Sequence, residues 1–143
     1  MKYWDTSAVV PLLVKQTQTK FVTGLRVSDP VIAVWWGSVV ECASALARLL
    51  REGAIERREA AIGIERLHEF EAEWVEVEPS IAVRDGACRL LRAHPLRAGD
   101  ALQLAAALRL SDEIGEPFEI VCFDSRLADA ARAERLRVVE IAR

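Results

Sequence analysis

The stretch KYWDTSAVVPLL, residues 2–13, begins with a short run that contains two aromatic residues and then changes at once to helix signals. Asp5 directly follows the run, and Thr6 and Ser7 belong to the residue types that cap helix N-termini. We therefore interpret residues 2–4 as a strand whose end carries the Asp5 side chain to the point where the chain turns into a helix.

The same order of a strand followed by a helix recurs along the chain. Strands are predicted at 2–4, 31–34, 74–77, 118–123 and 136–141. Helices are predicted at 7–27, as two helices, and at 38–51, 56–73, 80–93, 100–113 and 125–134. This alternation predicts an α/β fold, a doubly wound three-layer α/β/α sandwich around a central, mostly parallel sheet of about five strands.

Length and composition predict one soluble domain over residues 1–143, with about half of the residues apolar and few glycines or prolines. The start has an acid at position 5 and no small-residue cleavage site, so we expect a cytoplasmic protein with no membrane partner. Three widely spaced cysteines indicate neither a disulfide framework nor a zinc site. We expect Cys42, Cys88 and Cys122 to be reduced core residues.

A formal net charge of −3 at first disfavours a nucleic-acid partner, since Lys and Arg drive phosphate binding. If four of the 22 acids bind metal, however, 18 remain against 19 basic residues, and most of the bases are arginines. Arginine is the better planar donor to phosphate. The charge is therefore compatible with a nucleic-acid partner, although most arginines of such a chain lie on solvated helix faces.

Three acids fall at predicted junctions of the fold. Asp5 follows the first strand, Asp124 follows the apolar run 118–123, and Asp100 begins a predicted helix after Gly99. Each could be an ordinary turn or N-cap residue. Because the carboxyl ends of parallel strands form one edge of a sheet, Asp5 and Asp124 are expected at the same rim.

Glu41 lies inside the amphipathic stretch SVVECASALARLL, residues 38–50, with small residues beside it on the helix. These small neighbours leave room for a ligand to approach the carboxylate. The alternative is a solvent-facing glutamate paired with Arg48. Together with the three aspartates, Glu41 would concentrate negative charge at one rim, and such a cluster either takes up protons or holds a cation.

Oxygen ligands without nearby His or Cys select Mg²⁺ or Mn²⁺, and Mg²⁺ commonly keeps several waters beside one or two carboxylates. We expect Asp5 and Asp100 to be the direct ligands, with Glu41 and Asp124 holding waters or completing a second metal position. Such a site activates water and orients a phosphodiester for in-line attack. The predicted catalytic residues are Asp5, Glu41, Asp100 and Asp124.

Four segments now resemble the PIN-domain family, specifically the VapC-type toxin ribonucleases of toxin–antitoxin pairs. They are WDTSAVVPLL, SVVECASALARLL, GDALQLAAAL and IVCFDSRLADAA, and they fall in order over nearly the whole chain. The resemblance implies a compact α/β/α fold, Mg²⁺ or Mn²⁺, an RNA substrate, a homodimer and a cognate antitoxin. The four acids of that family fall on Asp5, Glu41, Asp100 and Asp124.

Two other functions are compatible with parts of the pattern. A phosphatase-like hydrolase with an aspartyl nucleophile could use Asp5, but it needs a second Asp two residues later, where this chain has Ser7. A PIN-like interaction module without catalysis is disfavoured because all four acids are present. Trp35 and Trp36 are expected in the core or a dimer interface, with base stacking as the alternative.

Overall fold

The computed structural model describes residues 1–116 and 118–141, and strands and helices alternate through them. The strands are β1 Lys2–Trp4, β2 Ile32–Trp35, β3 Val75–Val77, β4 Glu119–Val121 and β5 Arg137–Val138. The helices are α1 Thr6–Leu13, α2 Thr19–Ser28, α3 Ser38–Arg51, α4 Arg57–Glu73, α5 Ile81–Ala93, α6 Ala98–Ile114 and α7 Ser125–Ala133. The predicted helical region 7–27 is divided into α1 and α2, as expected.

The five strands form one sheet in the order β3-β2-β1-β4-β5, and every pairing is parallel. Neighbouring residues of a strand point to opposite faces, so Tyr3 and Trp4 enter different apolar layers. Both faces of the sheet are therefore covered by helices. The predicted three-layer α/β/α sandwich is confirmed.

Each face of the sheet has its own apolar core. One core contains Tyr3, Ala33 and Ile120 from the strands and the buried sides of α5, α6 and α7. The other contains Trp4, Val34 and Val121 with residues of α1 to α4. Burial of these side chains is the main stabilising contribution to the fold.

The winding of the chain reverses next to the central strand. β1 pairs with β2 on one side and with β4 on the other, and the order β2-β1-β4 skips β3. The helices that follow β1 and β4, α1 and α7, pack into different layers. In open α/β sheets the crevice for a ligand forms at such a reversal, outside the carboxyl ends of the strands. Here that crevice lies after Trp4 and Val121.

The last two strands are shorter than the sequence predicts. β4 ends at Val121 rather than 123, because Phe123 donates its backbone N–H to Ser7 Oγ at 2.9 Å instead of to a neighbouring strand. β5 contains only Arg137–Val138 of the predicted 136–141. The chain after Val121 therefore leaves the sheet and turns toward the end of β1.

Two expectations about buried side chains need correction. Cys42 and Cys122 are buried free thiols, but Cys88 is exposed, because the buried stripe of α5 is Val83, Ala87 and Leu90 and Cys88 lies beside it. Among the tryptophans, Trp35 packs partly buried against the core whereas Trp36 is 53% exposed. The core role is wrong for Trp36, which leaves an interface or base stacking.

None of the helices within residues 1–116 and 118–141 combines the length and apolar character needed to cross a membrane.

Candidate functional site

Asp5 and Asp124 both lie where the sequence places them, directly beyond the central strands. Asp5 is the N-cap of α1 and Asp124 is the N-cap of α7, where its Oδ1 accepts a hydrogen bond from the Leu127 backbone N–H at 2.9 Å. An N-cap aspartate satisfies amides of the first helical turn. The two caps therefore also bring two carboxylates to the crevice between β1 and β4.

Ser7 fixes the Asp5 carboxylate and links the two strand ends. Asp5 Oδ2 accepts hydrogen bonds from the Ser7 backbone N–H at 3.1 Å and from Ser7 Oγ at 2.6 Å. The same Ser7 Oγ accepts a hydrogen bond from the backbone N–H of Phe123. Asp5 is only 5% exposed, so its orientation is defined by these contacts and by the packing around it.

Glu41 lies in the first turn of α3, and its contacts differ from the alternative in which it pairs with Arg48. Glu41 Oε2 accepts a hydrogen bond from Thr6 Oγ1 at 3.0 Å and another from Gln103 Nε2. No ion pair joins Glu41 to Arg48 among the described residues. The glutamate is thus held from α1 and α6, inside the fold, and is not a solvent-facing partner of Arg48.

Asp100 is not the cap residue that the sequence predicts. α6 begins at Ala98 with Arg97 as its N-cap, so Asp100 is the third residue of the helix. Glycine lowers helix propensity but keeps its backbone N–H, so Gly99 does not by itself mark a boundary and lies within the first turn. Asp100 remains in the first turn, where the helix dipole favours a negative charge.

The backbone of α6 passes close to Glu41 at Gly99. A Cβ atom built on Gly99 would lie 2.9 Å from Glu41 Oε1, closer than van der Waals contact permits. The Glu41 carboxylate therefore occupies space that a side chain at position 99 would fill. Because Asp100 follows Gly99, the Glu41 carboxylate lies close to the part of α6 that carries Asp100.

All four predicted acids line one open cleft of about 880 Å³. Polar and cationic neighbours share the same cleft wall, namely Thr6, Ser7, Ser44 and Arg48, together with the loop residues Gln16, Thr17 and Gln18. Four acids that are up to 119 positions apart in the sequence thus meet at one rim. The fold accounts for this proximity because each acid lies at a strand end or in the first turn of a helix that faces the crevice.

The acids of the cleft perturb one another. Burial raises the pKa of Asp5 above its usual value, the Ser7 hydrogen bonds oppose this change, and the charge of Asp100 adds to it. Burial also raises the pKa of Glu41, against its hydrogen bonds to Gln103 and Thr6. The pKa of Asp100 is raised by burial and then by the charge of Asp124. Three ionised carboxylates are thus unfavourable here unless a cation is present.

Sequence reasoning missed Gln103 as part of this site. Gln103 is 1% exposed and contacts Glu41, Thr6 and Ser38 through its side-chain amide. The available signal was a single amide within the otherwise apolar run ALQLAAAL of α6. A buried polar residue in such a run must find hydrogen-bond partners, and here these partners are in the cleft wall.

The donor set fits a hard divalent cation bound with several of its waters. The cleft offers carboxylate and hydroxyl oxygens, and Gly99 leaves Glu41 Oε1 free of a neighbouring Cβ. Within residues 1–116 and 118–141, no group of three or more His, Cys, Asp or Glu side chains is arranged so that it could hold a metal ion by itself. A cation in this cleft would therefore rest on one or two of the carboxylates and keep several waters, as Mg²⁺ commonly does.

The PIN domain family matches residues 2–133 of the chain, so the chain belongs to this family. Two relatives are Ribonuclease VapC45 and Ribonuclease VapC49, both of Mycobacterium tuberculosis. Each is 32% identical over 137 residues, which are 95% of this chain and 92% of the relative. The resemblance to VapC proteins that the four sequence segments indicate is thereby confirmed.

Solved structures share the fold at lower identity. FitAcB from Neisseria gonorrhoeae has a TM-score of 0.67 at 17% identity, covering 98% of this chain and 97% of that chain. VapC20 of Mycobacterium tuberculosis, a sarcin-ricin loop cleaving toxin, has a TM-score of 0.65 at 16% identity, covering 91% and 95%. The α/β/α architecture is therefore common to all three proteins.

Proposed function

We propose that the chain is a cytoplasmic endoribonuclease that hydrolyses RNA phosphodiester bonds with Mg²⁺ or Mn²⁺ in the acidic cleft. The observation that carries this proposal is the meeting of Asp5, Glu41, Asp100 and Asp124 along one open cleft with no histidine or cysteine among its lining residues. The relatives named as ribonucleases support RNA as the substrate class.

Asp5 and Asp100 would hold the metal ion, and Glu41 and Asp124 would position water at the same rim. When bound, the ion supplies Lewis-acid stabilisation of the charge that develops on the phosphate. Asp5 is the more rigid of the two ligands, because it is buried and Ser7 holds its Oδ2 with two hydrogen bonds. Asp100 is less buried and lies at the helix end, where it can adjust to the substrate.

Arg48 offers the cleft a cation for the RNA backbone. It lines the cleft two turns after Glu41 on α3, and its side chain is exposed. Within the described residues no ion pair joins Arg48 to Glu41, so the guanidinium is not committed to that carboxylate. A guanidinium placed there binds a phosphate in a planar, bidentate manner.

Purified protein is expected to cut RNA with Mg²⁺ or Mn²⁺ and to stop in EDTA. Water is the nucleophile: its oxygen bonds to phosphorus, the bond to O3′ breaks, and O3′ leaves with a proton. The products therefore carry 5′-phosphate and 3′-hydroxyl ends, which end-labelling distinguishes from cyclic phosphates. Cutting that persists in EDTA, or 2′,3′-cyclic phosphate ends, would refute the proposed chemistry.

The partner in the cell is an antitoxin that places an arginine among the four acids and thereby displaces the metal. VapC20 is named a toxin, and the raised pKa values of Asp5, Glu41 and Asp100 mark a rim that a cation stabilises. Excess Mg²⁺ is expected to relieve inhibition by the co-purified antitoxin, and Arg→Gln changes in its basic segment are expected to abolish inhibition. If neither excess Mg²⁺ nor the Arg→Gln changes affected inhibition, the antitoxin would bind this chain outside the four acids. The chain also forms the homodimer that the family resemblance implies, and light scattering of the protein without antitoxin tests this.

A further inference from the structure

Tyr3, Gln103 and Glu41 form a chain of hydrogen bonds that runs from the centre of the sheet to the cleft. The Tyr3 hydroxyl donates to Gln103 Oε1 at 2.6 Å, and Gln103 Nε2 donates to Glu41 Oε2. Nε2 also lies 3.1 Å from Thr6 Oγ1 and 3.3 Å from Ser38 Oγ. Tyr3 and Gln103 are 0% and 1% exposed, so neither can touch an RNA substrate.

Glu41 and Tyr3 together determine which way the Gln103 amide faces, because an ionised carboxylate only accepts hydrogen bonds, whereas a tyrosine hydroxyl donates or accepts. An amide can be turned so that either its oxygen or its nitrogen approaches a neighbour, and the two arrangements occupy nearly the same volume. With Oε1 accepting the Tyr3 hydroxyl proton, the NH₂ group faces the Glu41 carboxylate and donates to it. The reverse orientation would place two acceptors, Gln103 Oε1 and Glu41 Oε2, against each other.

The contacts of Gln103 and Thr6 make the two carboxylate oxygens of Glu41 different from each other. Both donors bind Oε2. Oε1 accepts no hydrogen bond from a side chain within the described residues and lies over Gly99. The Asp5 carboxylate is arranged alike, since Ser7 binds its Oδ2 through two donors. One oxygen of each acid thus anchors it to the protein.

We infer that Gln103, held at its Oε1 by Tyr3, is a positioning residue that anchors Glu41 by Oε2 and thereby presents Oε1 to water of the cation site in the cleft. The catalytic part of this inference rests on the proposed ribonuclease function, whereas the effect on metal binding does not. Partners that orient metal-site residues from behind change metal affinity or activity by about 10- to 100-fold when they are removed.

The experiment compares Gln103→Met with Leu104→Met, its neighbour on α6, which is buried and has no polar contact to lose. Methionine matches the shape of both residues, so both variants test core packing, but only the first removes the amide. Gln103→Met is expected to weaken Mn²⁺ binding to RNA-free protein by about 10- to 100-fold, measured by electron paramagnetic resonance, and to lower kcat by a similar factor with little change in KM. Leu104→Met is expected to leave Mn²⁺ binding at the parent value.

Two further variants test whether Gln103 acts through Glu41. Tyr3→Phe removes only the hydroxyl and is expected to weaken Mn²⁺ binding in the same direction but less than Gln103→Met. In a Glu41→Gln background, Gln103→Met is expected to have no additional effect, because the residue it positions is already neutral.

The outcomes separate this inference from the proposed function. Equal Mn²⁺ binding by Gln103→Met and the parent, or full additivity with Glu41→Gln, overturns the positioning role. A parent that binds Mn²⁺ but does not cut RNA refutes the ribonuclease proposal, while the binding comparison still decides the role of Gln103. A parent that binds no Mn²⁺ overturns both.

Discussion

Asp5→Asn is expected to reduce RNA cleavage by on the order of 10³-fold, the cost of removing a central electrostatic group from an active site. The same change is expected to raise the melting temperature of the metal-free protein at neutral pH. Asparagine is as good an N-cap as aspartate and still accepts the Ser7 hydrogen bonds, so α1 loses little. What it removes is a buried charge that only a cation makes favourable.

The pH dependence identifies this charge as the cause. Because burial raises the folded-state pKa of Asp5 above its usual value of 3.8, protonation stabilises the fold. The parent therefore loses stability relative to Asp5→Asn as the pH rises from below 3.8 through the raised pKa, and the difference is largest near neutrality. Melting curves of both proteins in EDTA at several pH values between about 4 and 8 measure it.

Asp85→Asn is the matched control, since Asp85 is an exposed acid on α5 outside the cleft. It is expected to leave both cleavage and the pH dependence of melting unchanged. If Asp5→Asn cut RNA at the parental rate, Asp5 would be only a helix cap. A melting difference that is constant across the pH range would show that the Asp5 charge is not what destabilises the metal-free cleft.

The positions of Asp5 and Asp124 could be predicted because they depend on local sequence. Each follows a short apolar strand and precedes a helix, and a parallel sheet brings such residues to one edge. The boundary of α6 was less accessible, because the glycine signal at position 99 does not distinguish a residue before a helix from one in its first turn. The sequence therefore predicts the correct edge of the sheet for Asp100 but the wrong position in the helix, since Asp100 lies in the first turn and is not the first residue.

The contacts of Glu41 could not be predicted from its own helix. Helical spacing offered Arg48 as a partner, whereas the actual donors, Thr6 and Gln103, are 35 and 62 positions away in the sequence. Periodicity reports which face of a helix is apolar, but not which distant side chain meets it. The closure of α1, α3 and α6 around one carboxylate is a property of the tertiary fold, and only the structure reveals it.

Gly99→Ala is expected to separate the activity of the site from the stability of the fold. Alanine favours a helix over glycine by about 1 kcal/mol, and no positive φ prevents alanine at position 99. This gain offsets part of the strain at Glu41, so the variant should remain folded, judged by melting. Its new Cβ, however, would lie 2.9 Å from Glu41 Oε1, and the carboxylate must move.

That movement is costly because Glu41 is anchored at its other oxygen. A free glutamate would rotate away at little cost, but Oε2 is bound to Thr6 and Gln103, so a shift of Oε1 strains or breaks those hydrogen bonds. A misplacement of about 1 Å at a reacting centre can lower the rate by about 10²-fold, and we expect a loss of that size in kcat for Gly99→Ala.

Gly24→Ala provides the control, because Gly24 lies exposed within α2 and a Cβ there meets nothing within 4 Å. It gives the protein the same gain in helix propensity with no contact to Glu41, so it should melt somewhat higher and cut RNA at the parental rate. Full activity in Gly99→Ala would mean that Glu41 Oε1 can move without slowing the reaction. The exact position of the Glu41 carboxylate would then have no part in catalysis. The expected result is that Gly99→Ala loses activity but stays folded, whereas Gly24→Ala keeps both activity and stability. Catalysis would then depend on the space beside Glu41 that the absence of a side chain at position 99 leaves.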